Sequence, residues 1–148
     1  MDLRIIRELQ VDASRPVAEI AAAVGLSQTP CWRRIKRLRE TGVVRRVVAV
    51  VDAEAVGLAF TSYAFVKLAL PSAQNMAAFD GLVQRWSEVV MCERITGAVD
   101  YLIKVVAEDI KAYDGFLRHK LLASDLVSDV QSRIVVSTVK ESGGLPIG

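Results

Sequence analysis

Arg33, Arg34, Lys36, Arg37 and Arg39 fall within seven consecutive positions, and no acid lies among them. Guanidinium and ammonium groups at that density suit a polyanion, because Arg forks onto guanine or phosphate and Lys offers a point charge to phosphate. Just ahead of them, Ser27, Gln28 and Thr29 carry short polar groups that can meet base edges or hold a phosphate at a helix start. Charge alone would also describe a solvated helix face. A second constellation is Thr96, Gly97, Ala98, Val99 and Asp100. A tight turn there exposes backbone N–H groups able to hold a carboxylate, Gly97 permits close approach, and Asp100 can pair with an ammonium group. Those are the two ends of a zwitterionic amino acid. The same spacing also serves a plain hairpin whose aspartate only fixes the backbone.

These groups need elements to position them. Leu3, Ile6, Leu9 and Gln10 recur at helical spacing after Asp2, a suitable N-cap, and predict a first helix to Val11. A second, about Pro16 to Val24, has the stripe Val17, Ile20, Ala21, Val24 and ends at Gly25. Ser27 then starts a third helix running to about Thr41 and closed by Gly42. On that third helix Cys31, Ile35 and Leu38 share one sector, while Thr29, Arg33, Lys36 and Arg37 lie opposite. Two helices meeting at a glycine turn, the second cationic outside, predict a helix-turn-helix whose second helix enters the major groove.

Roles on that helix follow from position. Arg33 is placed for a guanine or a central phosphate. Lys36 and Arg37 suit phosphates, which position without specifying, and Trp32 borders the same face with part of its ring packed. For Ser27 a pure capping role stands beside a DNA contact. After Gly42, VVRRVVAVVD is dense in β-branched residues and predicts a strand or wing, from which Arg45 and Arg46 could reach the adjacent backbone. A linker follows at 52–59.

From Phe60 the pattern is strand SYAFVKLAL, helix from about Gln74 to Arg85, strand VVMCERIT, a turn at Gly97, strand DYLIKVVA, helix from about Asp109 to Leu122 with the stripe Ile110, Tyr113, Leu117, Leu121, and strand VSDVQSRIVVSTV. That order, βαββαβ, predicts a ferredoxin-like α+β domain at 60–148 after a helix-turn-helix domain at 1–51.

Composition bounds the function. The 148 residues are 52% hydrophobic and 24% charged, an ordinary globular mixture. Residues 1–52 hold 10 Lys+Arg against 6 Asp+Glu, a net +4, and residues 53–148 hold 9 against 11, a net −2. The basic character therefore belongs to the N-terminal third. No stretch approaches the ~20 apolar residues of a membrane span, and MDLRIIRELQ has no apolar signal core, so neither membrane insertion nor secretion is expected. Cys31 and Cys92 stand far apart, and with the single histidine, His119, they cannot complete a four-ligand zinc site. No metal, cofactor or disulfide is expected, and a reducing cytoplasm suits the chain. His119 falls opposite Ile110 and Leu117, a surface position without chemistry.

The runs VGLSQTPCWRRIKRLRETGVV, VVMCERITGAVDYLIKVV and VKESGGLP, with the aromatic run Tyr113 to Leu117, closely resemble the Lrp/AsnC family of transcriptional regulators, over nearly the whole chain. The resemblance implies a helix-turn-helix joined to a ferredoxin-like ligand-sensing domain, dimers assembling into tetramers or octamers, and an amino acid as effector. It also carries an effector role to Thr96, Gly97, Ala98 and Asp100, at an interface between dimers. The reading is a regulator that binds double-stranded DNA and is not an enzyme. The rival from another class is a tetrapyrrole (sirohaem-type) decarboxylase on the same architecture, which the lone, poorly placed histidine and the cationic helix disfavour.

Overall fold

A computed structural model describes residues 1–141 and 143–147. Ser142, within the VKESGGLP run, and Gly148 lie outside the described residues. The chain divides into two units, one of Met1–Val50 together with the segment from Val139 onward, the other Val51–Thr138. The segment from Val139 onward, placed by the sequence in the domain 60–148, groups with the helical unit in its contacts. Gln10 explains this. Its side-chain amide donates to Leu145 O at 3.2 Å and its Oε1 accepts the Leu145 amide at 2.6 Å, while Arg7 Nε donates to Ile147 O at 3.0 Å.

In the helical unit, α1 spans Asp2–Val11, α2 Val17–Val24 and α3 Gln28–Glu40. Ile5, Ile20, Ala21, Val24, Cys31, Ile35 and Leu38 form its core. The stripe expected on α1 is rotated: Ile5 is fully buried whereas Leu3 is 55% exposed, since α1 turns Ile5 inward with Ile6 and Leu9 at its flanks. Asp2 lies inside α1 rather than capping it, and its carboxylate is engaged by α3. Gly25 adopts the left-handed conformation at φ +73°, which closes α2 and sends the chain into α3.

The wing is not formed. Residues 43–53 contain no strand, because β-branched residues favour extended chain but a strand needs a ladder partner, and none pairs with them among the described residues. A single 3₁₀ turn, Glu54–Val56, interrupts the linker.

The second unit has β1 Phe60–Leu68, α4 Ala73–Val83, β2 Val89–Arg94, β3 Tyr101–Ala107, α5 Ile110–Phe116 and β4 Val127–Ile134. Its antiparallel sheet runs β2-β3-β1-β4, the βαββαβ order expected. Ser72 caps α4 by accepting the Asn75 amide at 3.1 Å, and Asp109 caps α5 by accepting the Ala112 amide at 2.7 Å. Alternation on β1 turns Ala64, Val66 and Leu68 into the core with Phe79, Tyr101, Ile103, Val105, Tyr113 and Phe116, and leaves Tyr63 and Phe65 on the opposite face.

α5 is shorter than its periodicity suggested. It passes into a π-helical turn, Leu117–Leu121, in which the Leu122 amide donates to Leu117 O at 2.7 Å. Tyr113 and Leu121 of the expected stripe are buried and Leu117 packs against the same core, joined by Phe116, whereas Ile110, at the first position of the helix, is 61% exposed.

Candidate nucleic-acid interface and ligand turn

Cys31, Ile35 and Leu38 anchor α3 by its inner face, which turns Gln28, Thr29, Arg33, Lys36 and Arg37 to solvent. Ser27 occupies the N-cap position, yet its hydroxyl makes no cap bond. It is therefore free to contact a ligand. Lys36 is held loosely, 3.7 Å from Glu40 and 5.4 Å above the ring of Trp32, itself 50% exposed. Arg33 has no ion-pair partner among the described residues.

Arg34, counted in the cationic run, is given no role of its own by its position in the sequence. With Pro30, Arg33 and Arg37 it borders a concave surface of about 330 Å³. Arg34 and Arg37 both donate to Asp2, at 2.7 and 2.5 Å. The hydrogen bond from Arg34 above all, joined by that from Arg37 and outweighing burial, holds the Asp2 carboxyl below its usual range. Nothing in the order of residues signals a contact spanning more than thirty positions. Arg45 and Arg46 lie exposed on the irregular chain beyond α3, not on a wing.

The second constellation lies between β2 and β3. The Ile95 amide donates to Asp100 O at 3.0 Å and the Asp100 amide to Val66 O at 2.9 Å, which closes the loop onto β1. Gly97 sits at φ +118°, a conformation other residues rarely adopt. Between those bonds the amides of Thr96, Gly97, Ala98 and Val99 donate to no acceptor among the described residues. Asp100 Oδ2 accepts the Leu68 amide at 2.8 Å, so half of this carboxylate fixes backbone, and Oδ1 has no hydrogen-bond partner among the described residues.

A further group missed in the sequence holds the foot of the hairpin. Arg94 and Tyr101 face each other in the ladder, and both reach one carboxylate on α4. Tyr101 donates to Asp80 Oδ1 at 2.8 Å, and Arg94 donates to Asp80 Oδ2. Burial works against the ionised form of Asp80, but the bonds from Arg94 and Tyr101 outweigh it and the carboxyl lies below its usual range. The Tyr101 hydroxyl is pushed up to about 12, by burial first and by its bond to Asp80. Met76 and Asp80 lie one turn apart on α4, which puts the Met76 carbonyl and the Asp80 carboxylate beside the Tyr101 hydroxyl, an approach that only the fold reveals.

Both halves of the chain match known domains. Residues 1–39 match the AsnC-type helix-turn-helix domain and residues 61–145 the Lrp/AsnC ligand binding domain. The chain belongs to the Lrp/AsnC family. It is a DNA-binding transcriptional regulator with a ligand-binding domain, not an enzyme, and the decarboxylase alternative falls. This Lrp/AsnC chain is 33% identical to the DNA-binding transcriptional activator DecR of Escherichia coli K12, over 99% of the chain and 97% of that protein. It is 32% identical to the Leucine-responsive regulatory protein of Rhizobium meliloti, over 96% of the chain and 91% of that protein. A regulator of Neisseria meningitidis solved with L-Met superposes with a TM-score of 0.93 at 32% identity, over 98% of this chain and 94% of the other. An AsnC family regulator from Agrobacterium tumefaciens superposes with a TM-score of 0.92 at 40% identity, with the same coverage of each. Among the described residues no helix is long and apolar enough to cross a membrane.

Proposed function

We propose that this regulator reads DNA through the outward face of α3 and senses an amino acid at the loop 96–100, in the reducing cytoplasm that its two free cysteines suit. Ser27, Gln28 and Thr29 meet base edges in the major groove. Arg33 takes a guanine or a central phosphate, Lys36 and Arg37 take phosphates, Trp32 flanks them, and Arg45 and Arg46 reach the neighbouring backbone. The observation that carries the effector reading is the run of four amides, Thr96 to Val99, followed by Oδ1 of Asp100, all without a hydrogen-bond partner among the described residues. The amides suit a carboxylate and Oδ1 suits an ammonium group. That a similar regulator was solved with L-Met agrees with this chemistry.

The working unit is a homodimer that pairs further into tetramers or octamers. Tyr63 and Phe65 stand on the sheet face that α4 and α5 leave uncovered. A second copy covering that apolar surface would also present two recognition helices to a palindromic site.

Thermal melting against each of the twenty amino acids tests the effector. Ligand at 100 times its dissociation constant stabilises by about 2.7 kcal/mol. One or a few amino acids should raise the melting temperature and change operator binding, and a flat response to all twenty would overturn this reading.

A further inference from the structure

α3 supplies three guanidiniums to the concave surface beside Pro30, and the acid that answers them comes from another helix. Asp2, in the first turn of α1, spends one oxygen on Arg34 and the other on Arg37. Arg33, on the same concavity, is left without an ion-pair partner among the described residues. A carboxylate engaged in this way presents two oxygens to two guanidiniums, as a phosphodiester does. Arg37 also lies one turn from Arg33 on the outward face, where the duplex backbone would run. All three side chains of the Asp2, Arg34, Arg37 cluster remain in contact with solvent, and such pairs are weak enough for a stronger anion to displace.

We propose that Asp2 is an internal counter-ion seated in a phosphate site formed by Arg33, Arg34 and Arg37, and that a DNA phosphodiester displaces it on binding. Asp2 thereby restrains the sequence-independent part of DNA affinity, which every duplex would otherwise gain from the full charge of α3. The inference rests on α3 being the DNA-facing helix, as proposed above.

The test uses the full chain and a random-sequence 30-bp duplex, with affinity followed by fluorescence anisotropy across a salt series. Asp2→Asn keeps the size and removes the charge. It should bind about three- to tenfold more tightly at 100 mM salt, with a log–log salt slope steeper by about one. Asp2→Glu keeps the charge and should stay within about twofold of the parent. Unchanged or weaker binding by Asp2→Asn overturns the proposal, as does Asp2→Glu behaving like Asp2→Asn. A second measurement needs no variant: the ¹³C carboxyl resonance of Asp2 should move to the position of a free carboxylate when the duplex is added, and a resonance that stays in place overturns displacement. Arg33→Ala separates the two readings. If it weakens binding while Asp2→Asn changes nothing, only the counter-ion fails; if neither variant has an effect, the DNA-facing assignment of α3 fails with it.

Discussion

The carboxylate of Asp100 accepts the backbone amide of Leu68 at 2.8 Å, tying the end of the hairpin loop to the last residue of β1. Leu68 is buried, so its N–H has no water to turn to if that acceptor is lost. One side chain thus has a structural oxygen and a free oxygen, and substitutions can separate the two. Asp100→Ala removes both and should lower the unfolding free energy by about 1–3 kcal/mol in urea titration. Asp100→Asn keeps an acceptor for Leu68 and should remain close to the parent in stability while losing its response to an amino acid. An Asn variant that still responds fully would remove the ammonium role.

Arg33→Ala should weaken operator binding while light scattering reports unchanged assembly, because Arg33 projects from α3 opposite the buried Cys31, Ile35 and Leu38. Lys36→Ala should weaken operator and random duplex alike and flatten the salt slope by about one unit. Operator affinity unaffected by both would show that DNA is read elsewhere.

Acid should unfold the sheet unit through two carboxyls. Asp80 is held below its usual range as described, and in Glu88 the bonds from Lys120, at 2.6 and 2.9 Å, overcome burial and lower the carboxyl likewise. A folded-state value below the unfolded one means the stabilisation is complete above the unfolded value, about 3.9 for Asp and 4.3 for Glu, and disappears as pH falls through the folded value. The urea midpoint should therefore hold from pH 7 to about 5 and decline below about 4.5. Asp80→Asn and Glu88→Gln should each flatten that decline, and a slope unchanged in both would contradict the assignment.

Both thiols should be inert in the folded chain. Burial, and next the charge of Asp80, pushes Cys92 up to about 11, and Cys31 is fully buried and raised by burial too. Since the thiolate is the nucleophile, reaction with a disulfide reagent at pH 8 should be slower than in urea by more than about a hundredfold. A thiol titrating at once in native buffer would contradict this burial.

Light scattering should report a dimer or a multiple of it, and Phe65→Lys should lower the mass by placing a charge in the middle of the bare sheet face. A stable 16.2 kDa monomer binding DNA tightly would overturn the assembly.

The helix-turn-helix and the sheet were legible because their signals are local. Gly25 and Gly42 mark helix ends, and alternation from Ser62 to Leu68 sorts core from surface within one strand. The errors came where a residue answers to something distant. Leu3 and Ile5 look equally apolar, and only the packing of α2 and α3 decides that Ile5 goes inside. The valines after Gly42 have the propensity of a strand but no partner. Ile110 fits the same helical stripe as Tyr113, Leu117 and Leu121, and only its place at the helix start, beyond the reach of the core, leaves it exposed. In the candidate sites, the exposed cations of α3 and the loop at Gly97 could be read in order. The ties Asp2–Arg34, Asp80–Arg94 and Asp100–Leu68 could not, since each joins elements that only the fold brings together.

The clasp between Gln10 and Leu145 makes the sheet unit an insertion within the helical one. During synthesis residues 1–50 emerge first with their whole buried core, and the tail that clasps Gln10 and Arg7 is added only after the sheet unit has been made. A fragment cut after Val50 would lack a piece of its own structure, whereas Val51–Thr138 is one uninterrupted length. Backbone crosses between the units twice, once at each end of that insert. A single nick in the 52–59 linker would leave residues 1–50 held to the rest of the chain only by the hydrogen bonds of Gln10 and Arg7 to the tail.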